Sequence, residues 1–442
     1  MDRVSGEQTS IQIQQKNQYY YHYLVIAILI AVLVFDFLRQ EVGLPRALSL
    51  LPEVLSGLCL LSIGVWGSIS KKIYARFSYI IVLALLLLHM VTGIILNDVN
   101  PGTVLSGIRA YLKYIPFFLL PLVYRYSDEH LLKQFKLILF LTFLQIPIAF
   151  YQRIIEGSGS RSGDMVHGTL ANSSSLSIYL MCAISMLVTF FVRKKIAKSH
   201  FFVLVVLLFL PTTINESKGT LVLLPFALLI PVYLATQGRD KIKNTLLAMI
   251  AMALLLSIFV PLYDHFTPRR GGEEGIMDFL AGEDRIESYL APQAMGGSGI
   301  GRVDAILLPF RKLSDQPEKL LVGLGIGNMR ESFLGSKFSG AYLESYGDFV
   351  RASISLLIWE LGLVGVVLVV FLNVFIFRDA LNLGKNSTNE LYSTIGYGWG
   401  SIVAVIFIGL FYSRIIDMDA VSYVYWYFSG LVVSLSVRVQ ST

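Results

Sequence analysis

The chain has 442 residues, of which 55% are hydrophobic and only 15% charged, and its mean hydropathy is +0.65. That is too apolar for the two or three soluble domains its length would otherwise allow. The formal charge of +6 does not indicate a nucleic-acid partner, because the cations lie between apolar runs. The two cysteines, Cys59 and Cys182, sit inside apolar segments, which excludes a disulfide framework and a paired-thiol metal site.

The first eighteen residues are polar and lack a basic n-region followed by a small-residue cleavage site, so the first apolar run is expected to be a retained span. A bilayer core of about 30 Å needs about 20 apolar residues per helix. Runs of that kind predict twelve transmembrane helices, near 23–38, 47–67, 77–96, 104–124, 131–152, 168–192, 200–214, 219–236, 244–263, 348–377, 391–413 and 419–437. The seventh and eighth are short and share the junction "NESKG". The fold class is therefore an all-α polytopic membrane protein in three parts. Residues 1–263 carry helices 1–9, residues 264–347 form one large loop, and residues 348–442 carry helices 10–12.

Orientation follows from the cations. With the N-terminus cytoplasmic, the inner segments gather Lys71, Lys72 and Arg76, then Arg193 to Lys195 with Lys198, then Arg239, Lys241 and Lys243. Fewer cations fall on the other side, as the positive-inside rule requires. Both termini are then expected in the cytoplasm and the large loop outside. Tyr19 to Tyr21 and Trp66 at inner ends, and "SYVYWYF" at an outer end, suit interfacial aromatic belts.

Two glycine-rich runs, "GGSGIGR" ending at Arg302 and "LLVGLGIGNM" from Leu320 to Met329, invite a nucleotide reading. The second lacks the third spaced glycine of a dinucleotide fingerprint and the Lys-Ser/Thr pair of a P-loop, and it faces away from the cytosol. A tight turn is the expected structure. "VDAILLPF" (Val303–Phe310) reads as an amphipathic surface helix.

Several polar residues stand where chemistry could use them. In "NESKGT", Glu216 and Lys218 join two helices too short to cross the bilayer, which places them in a recess. Arg302 follows flexible glycines and offers a bidentate fork for phosphate. Asp348 and Arg351 are spaced i,i+3 on one expected helix face at the entrance to the tenth span. "DMD" (Asp417, Asp419) resembles a metal-binding carboxylate pair, but on the wrong side for cytosolic nucleotide donors. The six histidines, among them His167 and His265 outside, show no ligand spacing.

Taken together, "GLPRALSLLPE", "GIRAYLKY", "GTLANSSSLSIYL", "ESKGTL", "GRVDAILLPF…LLVGLGIGNM" and "LIWELGLVG" come in the order found in the O-antigen ligase and Wzy O-antigen polymerase superfamily, which the chain resembles over nearly its whole length. The resemblance implies a GT-C-like fold in the bacterial inner membrane, with a periplasmic active site and an undecaprenyl-diphosphate-linked oligosaccharide as donor. It implies inverting, metal-independent glycosyl transfer and no cofactor. Lys218 falls where the family usually carries arginine, and Arg302 matches the family's loop arginine, which the glycine-rich turn would help to shape. Ligases place a histidine about eleven residues before the glycine matching Gly362, where this chain has Arg351. That departure favours a polymerase of O-antigen, capsule or exopolysaccharide repeat units over a ligase acting on lipid A core.

The chemistry expected of such a site is simple. A glycosyl diphosphate has a good leaving group, so cations must stabilise departing charge and a base must activate the acceptor hydroxyl. Lys218 and Arg302 are assigned to the diphosphate, with Arg351 beside them, and Asp348 to the base, with Glu344 and His167 in reserve. An apolar groove between helices would hold the lipid tail. The partners implied are lipid-linked donor and acceptor, the bilayer, a chain-length regulator and a flippase, with no nucleic acid. The competing class is a transporter or flippase of lipid-linked glycans, which would not need a large outer loop.

The orientation is directly testable. Cysteines placed at Ser314 and Ser336 are expected to react with a membrane-impermeant thiol reagent in intact spheroplasts, and one at Ser199 is not. Labelling confined to Ser199 would invert the topology.

Overall fold

The computed structural model describes residues 2–70, 73–156, 165–215, 217–236, 238, 240–266 and 301–441. Among them every regular element is helical. Nine of the described helices are long and apolar enough to cross a membrane, and two shorter apolar ones accompany them, so the chain is a multi-pass membrane protein.

In chain order the first ten helices are α1 (Asp2–Glu41), α2 (Leu51–Ser70), α3 (Phe77–Leu96), α4 (Pro101–Leu112), α5 (Ile115–Val123), α6 (Asp128–Tyr151), α7 (Ser173–Val192), α8 (Lys198–Ile214), α9 (Gly219–Ala235) and α10 (Asp240–Phe266). After the undescribed part of the large loop come α11 (Arg302–Leu313), α12 (Pro317–Val322), α13 (Ser353–Asn386), α14 (Glu390–Gly409) and α15 (Asp419–Ser441). The main core is built where α13 packs on α14, α7 on α9, and α15 on α5.

Two of the differences from the expected spans bear on the site. The fourth, 104–124, is not one helix: α4 ends at Leu112 and α5 restarts at Ile115. Pro116 explains the break, since a proline has no amide to give and its ring clashes with the carbonyl four residues back. It is instead well placed in the first turn of α5. The tenth was expected from residue 348, but α13 begins only at Ser353. Its first amides are taken by the segment after α14, with Ser353 N–H donating to Ser413 O and Ile354 N–H to Leu410 O, both at 3.0 Å. The seventh and eighth spans are short, as expected: α8 and α9 are the two shorter apolar helices.

The glycine-rich turn has a defined structural job. At Gly362 α13 leaves helical geometry, with φ +62° and ψ −171°, a region open essentially to glycine alone. The break frees carbonyls that would otherwise bond within the helix. Leu324 N–H donates to Trp359 O at 2.7 Å and Gly325 N–H to Glu360 O at 3.1 Å, while the His89 ring meets Leu361 O at 2.6 Å. The loop Gly323–Asn328 thus supplies the partners that the broken helix lacks. Gly325 lies against Gly93 of α3, and Gly327 against Thr103 and Gly107 of α4. A Cβ at Gly327 would stand 2.2 Å from Thr103 O, and one at Gly107 2.6 Å from the Ile326 carbonyl carbon.

A Cβ at Gly362 would stand 2.4 Å from Leu321 O on top of its glycine-only backbone. Gly362→Ala is therefore expected to cost about 3 kcal/mol or more in detergent unfolding. Gly57→Ala, in an open helical position of α2, should be neutral or gain up to about 1 kcal/mol. Equal effects of the two would show that the break is not sterically enforced.

Candidate functional site

One polar cavity of about 570 Å³ opens where α4 and the loops 329–348 and 414–417 meet. Its lining includes Arg109, Lys113, Arg330 and Arg414, together with Glu331, Glu344, Asp348 and Asp417. Cations and carboxylates are balanced there, and most of the cations are held in place by carboxylates beneath them.

The deepest of these is Glu360, the lone charge in the apolar run of α13. Its side chain is fully buried and that of Arg330 is 9% exposed. Arg330 Nε donates to Glu360 Oε2 at 3.0 Å, Tyr111 Oη donates to the same oxygen at 2.7 Å, and Met329 N–H donates to Oε1 at 3.1 Å. Arg330 also bonds Asp417 through Nη1, and its guanidinium lies 4.9 Å over the Tyr111 ring. Its remaining amine, Nη2, is buried with no protein partner while the residue lines the cavity.

Asp417 is gripped from the other side by Arg414, whose Nε donates to Oδ2 at 2.7 Å. Burial pushes the Asp417 carboxyl up, but Arg330 and Arg414 outweigh it and hold it below its ordinary 3.8. On α4, Arg109 makes a bidentate pair with Glu53, both bonds at 2.7 Å, and lies 4.7 Å from the centre of the Phe333 ring. Lys113 reaches Asp419 Oδ1 at 2.6 Å, an oxygen that also accepts from Tyr114 Oη at 2.7 Å. Both carboxylates of "DMD" are thus engaged by protein cations.

Of the carboxylates expected from sequence, Asp348 and Glu344 both line this cavity, exposed at its rim. They ride on a short turn fixed by Tyr346, whose ring stacks on Trp359 at 5.0 Å. The i,i+3 helix face expected for Asp348 and Arg351 does not form. Asp348 is in a 3₁₀ turn and Arg351 in the connection before α13, exposed and outside the cavity lining, and no ion pair joins the two.

Arg302 begins α11 and lies over the Tyr412 ring, 4.0 Å from its centre, while donating to Tyr412 O. Gly219, next to Lys218, backs onto the same ring. Arg302 and Gly219, the neighbour of Lys218, therefore both meet Tyr412, two residues before Arg414 of the cavity, a separation of at most about 7–8 Å along the backbone. Glu216, and the part of "GGSGIGR" that precedes Gly301, lie outside the described residues. His167 is buried behind Gln152, which accepts its backbone N–H at 3.1 Å; burial lowers its ring below 6.5 and keeps it from the cavity.

Sequence reasoning did not single out Arg330 or Glu360. The signal was present, because an ionisable residue inside an apolar span is costly and retained for a reason. No protein-family model and no curated protein matches the chain.

Arg330→Met removes one guanidinium from two carboxylates, and breaking a buried pair costs about 3–5 kcal/mol, so the unfolding midpoint should fall sharply. The depressed Asp417 carboxyl adds stability that is present above pH 3.8 and is lost as pH drops through its folded value. Unfolding midpoints measured down to about pH 3 should decline over that range, and Asp417→Asn should flatten the decline. A pH-independent difference between the two proteins would remove Asp417 from the network.

Proposed function

We propose that this protein is a glycosyltransferase that uses a lipid-diphosphate-linked oligosaccharide at one face of the membrane. In this reading it polymerises repeat units in the manner of the Wzy-type polymerases that its motifs resemble. The observation that carries the reading is the convergence on the segment Leu410–Met418. Arg302 and Gly219, which adjoins Lys218, approach it at Tyr412, and the cavity bearing Asp348 and Glu344 approaches it at Arg414.

The two sides divide the chemistry. Arg302 and Lys218 bind the diphosphate and stabilise the charge that grows on it as the glycosidic bond breaks. The polar cavity takes the acceptor sugar: carboxylates and guanidiniums suit hydroxyl groups, and Phe333 offers a ring face at the rim. Asp348 accepts the proton of the attacking hydroxyl, with Glu344 next to it as the alternative base. Attack from the side opposite the leaving diphosphate gives inversion, and no step calls for a metal.

Transfer to lipid A core rather than to a growing repeat, or movement of the lipid-linked glycan without chemistry, are the outcomes to be told apart. Purified protein with lipid-linked oligosaccharide should give a ladder of products, where a ligase gives a single transfer and a transporter gives no reaction. Arg302→Ala should lower turnover by about two or more orders of magnitude, since a donor to developing charge contributes about 3–4 kcal/mol. Lys218→Arg should retain activity. Asp348→Asn should bind lipid-linked donor normally and form no polymer. Near-normal laddering by Asp348→Asn moves the base to Glu344, and laddering by Arg302→Ala removes the diphosphate assignment.

A further inference from the structure

A second cationic site lies at the other end of the bundle. α14 runs from Glu390, which pairs with Lys195, to Gly409 beside the Tyr412 segment, a helix of 20 residues and so about 30 Å long. At its Glu390 end a crevice of about 730 Å³ is lined by Arg193, Lys194, Lys195 and Lys243, against the single carboxylate Asp240. Arg193 is held by Ser393, which accepts from its Nη2 at 3.3 Å, and it lies 5.6 Å from the centre of the Tyr397 ring. Among the described residues no carboxylate pairs with Lys194 or Lys243.

Lys194 is placed there against a backbone cost. α7 closes with Lys195 N–H donating to Phe190 O and Lys194 N–H to Phe191 O, each at 2.8 Å. This double closure puts Lys194 at φ +57°, the position that glycine usually fills. The chain keeps a cation where conformation alone favours the residue without a side chain.

Beside the crevice an almost wholly apolar groove of about 360 Å³ runs between α6, α7, α14 and α15, lined by side chains such as Phe135, Leu139, Leu187 and Phe428. Ile196 lines both spaces, so the groove adjoins the crevice. Cations cluster at this end, and Lys136 lines the groove as well.

We infer that the crevice and groove together hold one anionic glycerophospholipid, its phosphate among Arg193, Lys194 and Lys243 and an acyl chain in the groove. Basic pockets between membrane helices select anionic headgroups by charge, and the adjoining groove selects a lipid over a free anion. The site is independent of the transfer reaction proposed above, which lies about a bilayer's thickness away.

The test uses the full chain in a neutral maltoside detergent, with its unfolding midpoint followed as lipid is added. Phosphatidylglycerol is expected to raise the midpoint, whereas phosphatidylcholine with the same acyl chains and inorganic phosphate leave it unchanged. The double variant Lys194→Gly, Lys243→Ala should need about tenfold more phosphatidylglycerol for the same shift. Its starting midpoint should not fall, since glycine takes the backbone of residue 194 without cost. Lys243→Ala alone, at an exposed position, should move the titration in the same direction. An equal response to phosphatidylcholine or to phosphate alone overturns the inference, as does an unchanged titration in both variants. Undecaprenyl phosphate shifting wild type and double variant alike would give the groove to the donor instead and overturn it too.

Discussion

A carboxylate buried in an apolar helix must be satisfied completely, and much of one end of this molecule is arranged to satisfy Glu360. Three donors reach it from two other elements, Tyr111 from α4 and Met329 N–H and Arg330 from the glycine loop. Arg330, once fixed, orders Asp417, and Asp417 orders Arg414. An uncompensated charge at that depth would cost several kcal/mol, so the elements bearing its partners have little freedom to stand elsewhere. The cavity inherits its shape from that constraint.

Glycine makes the constraint reachable. An arginine on a loop can meet a carboxylate inside a helix only if the two backbones approach closely. Gly323 and Gly362 meet with no room for a Cβ on either, and Gly327 does the same against Thr103 and Gly107 of α4. The close approach also answers the polar backbone exposed by the break in α13. Packing, hydrogen bonding and electrostatics therefore depend on the same few positions.

The helical class and most of the spans are legible in the sequence because lipid leaves the chain few options: long apolar runs must be helices. The break at Lys113–Tyr114 is less visible, because apolar residues resume directly after it and Pro116 is its main mark. Asp348 and Glu344 could be placed at the cavity from their position at the loop-to-membrane junction. The helix face expected for Asp348 and Arg351 does not form, because the amides of Ser353 and Ile354 bond to the segment after α14 instead of to residues 349 and 350. Glu360 and Arg330 lie 30 residues apart, and nothing in local pattern says that they touch. Arg109 and Lys113 stand in a visible motif, "GIRAYLKY", yet their role depends on Glu53 and Asp419, which only the fold brings near.

The break in α13 also bears on how the protein is made. The glycine loop precedes α13 in the chain, while α3 and α4, against which it packs, come far earlier. During synthesis the loop emerges with one wall of its site already in the membrane and the other not yet translated. Until Trp359 and Glu360 arrive, the amides of Leu324 and Gly325 lack their final acceptors; until the loop docks, the carbonyls at the break lack their donors. Neither half reaches its final hydrogen bonding alone: the break in α13 and the docked loop are completed together.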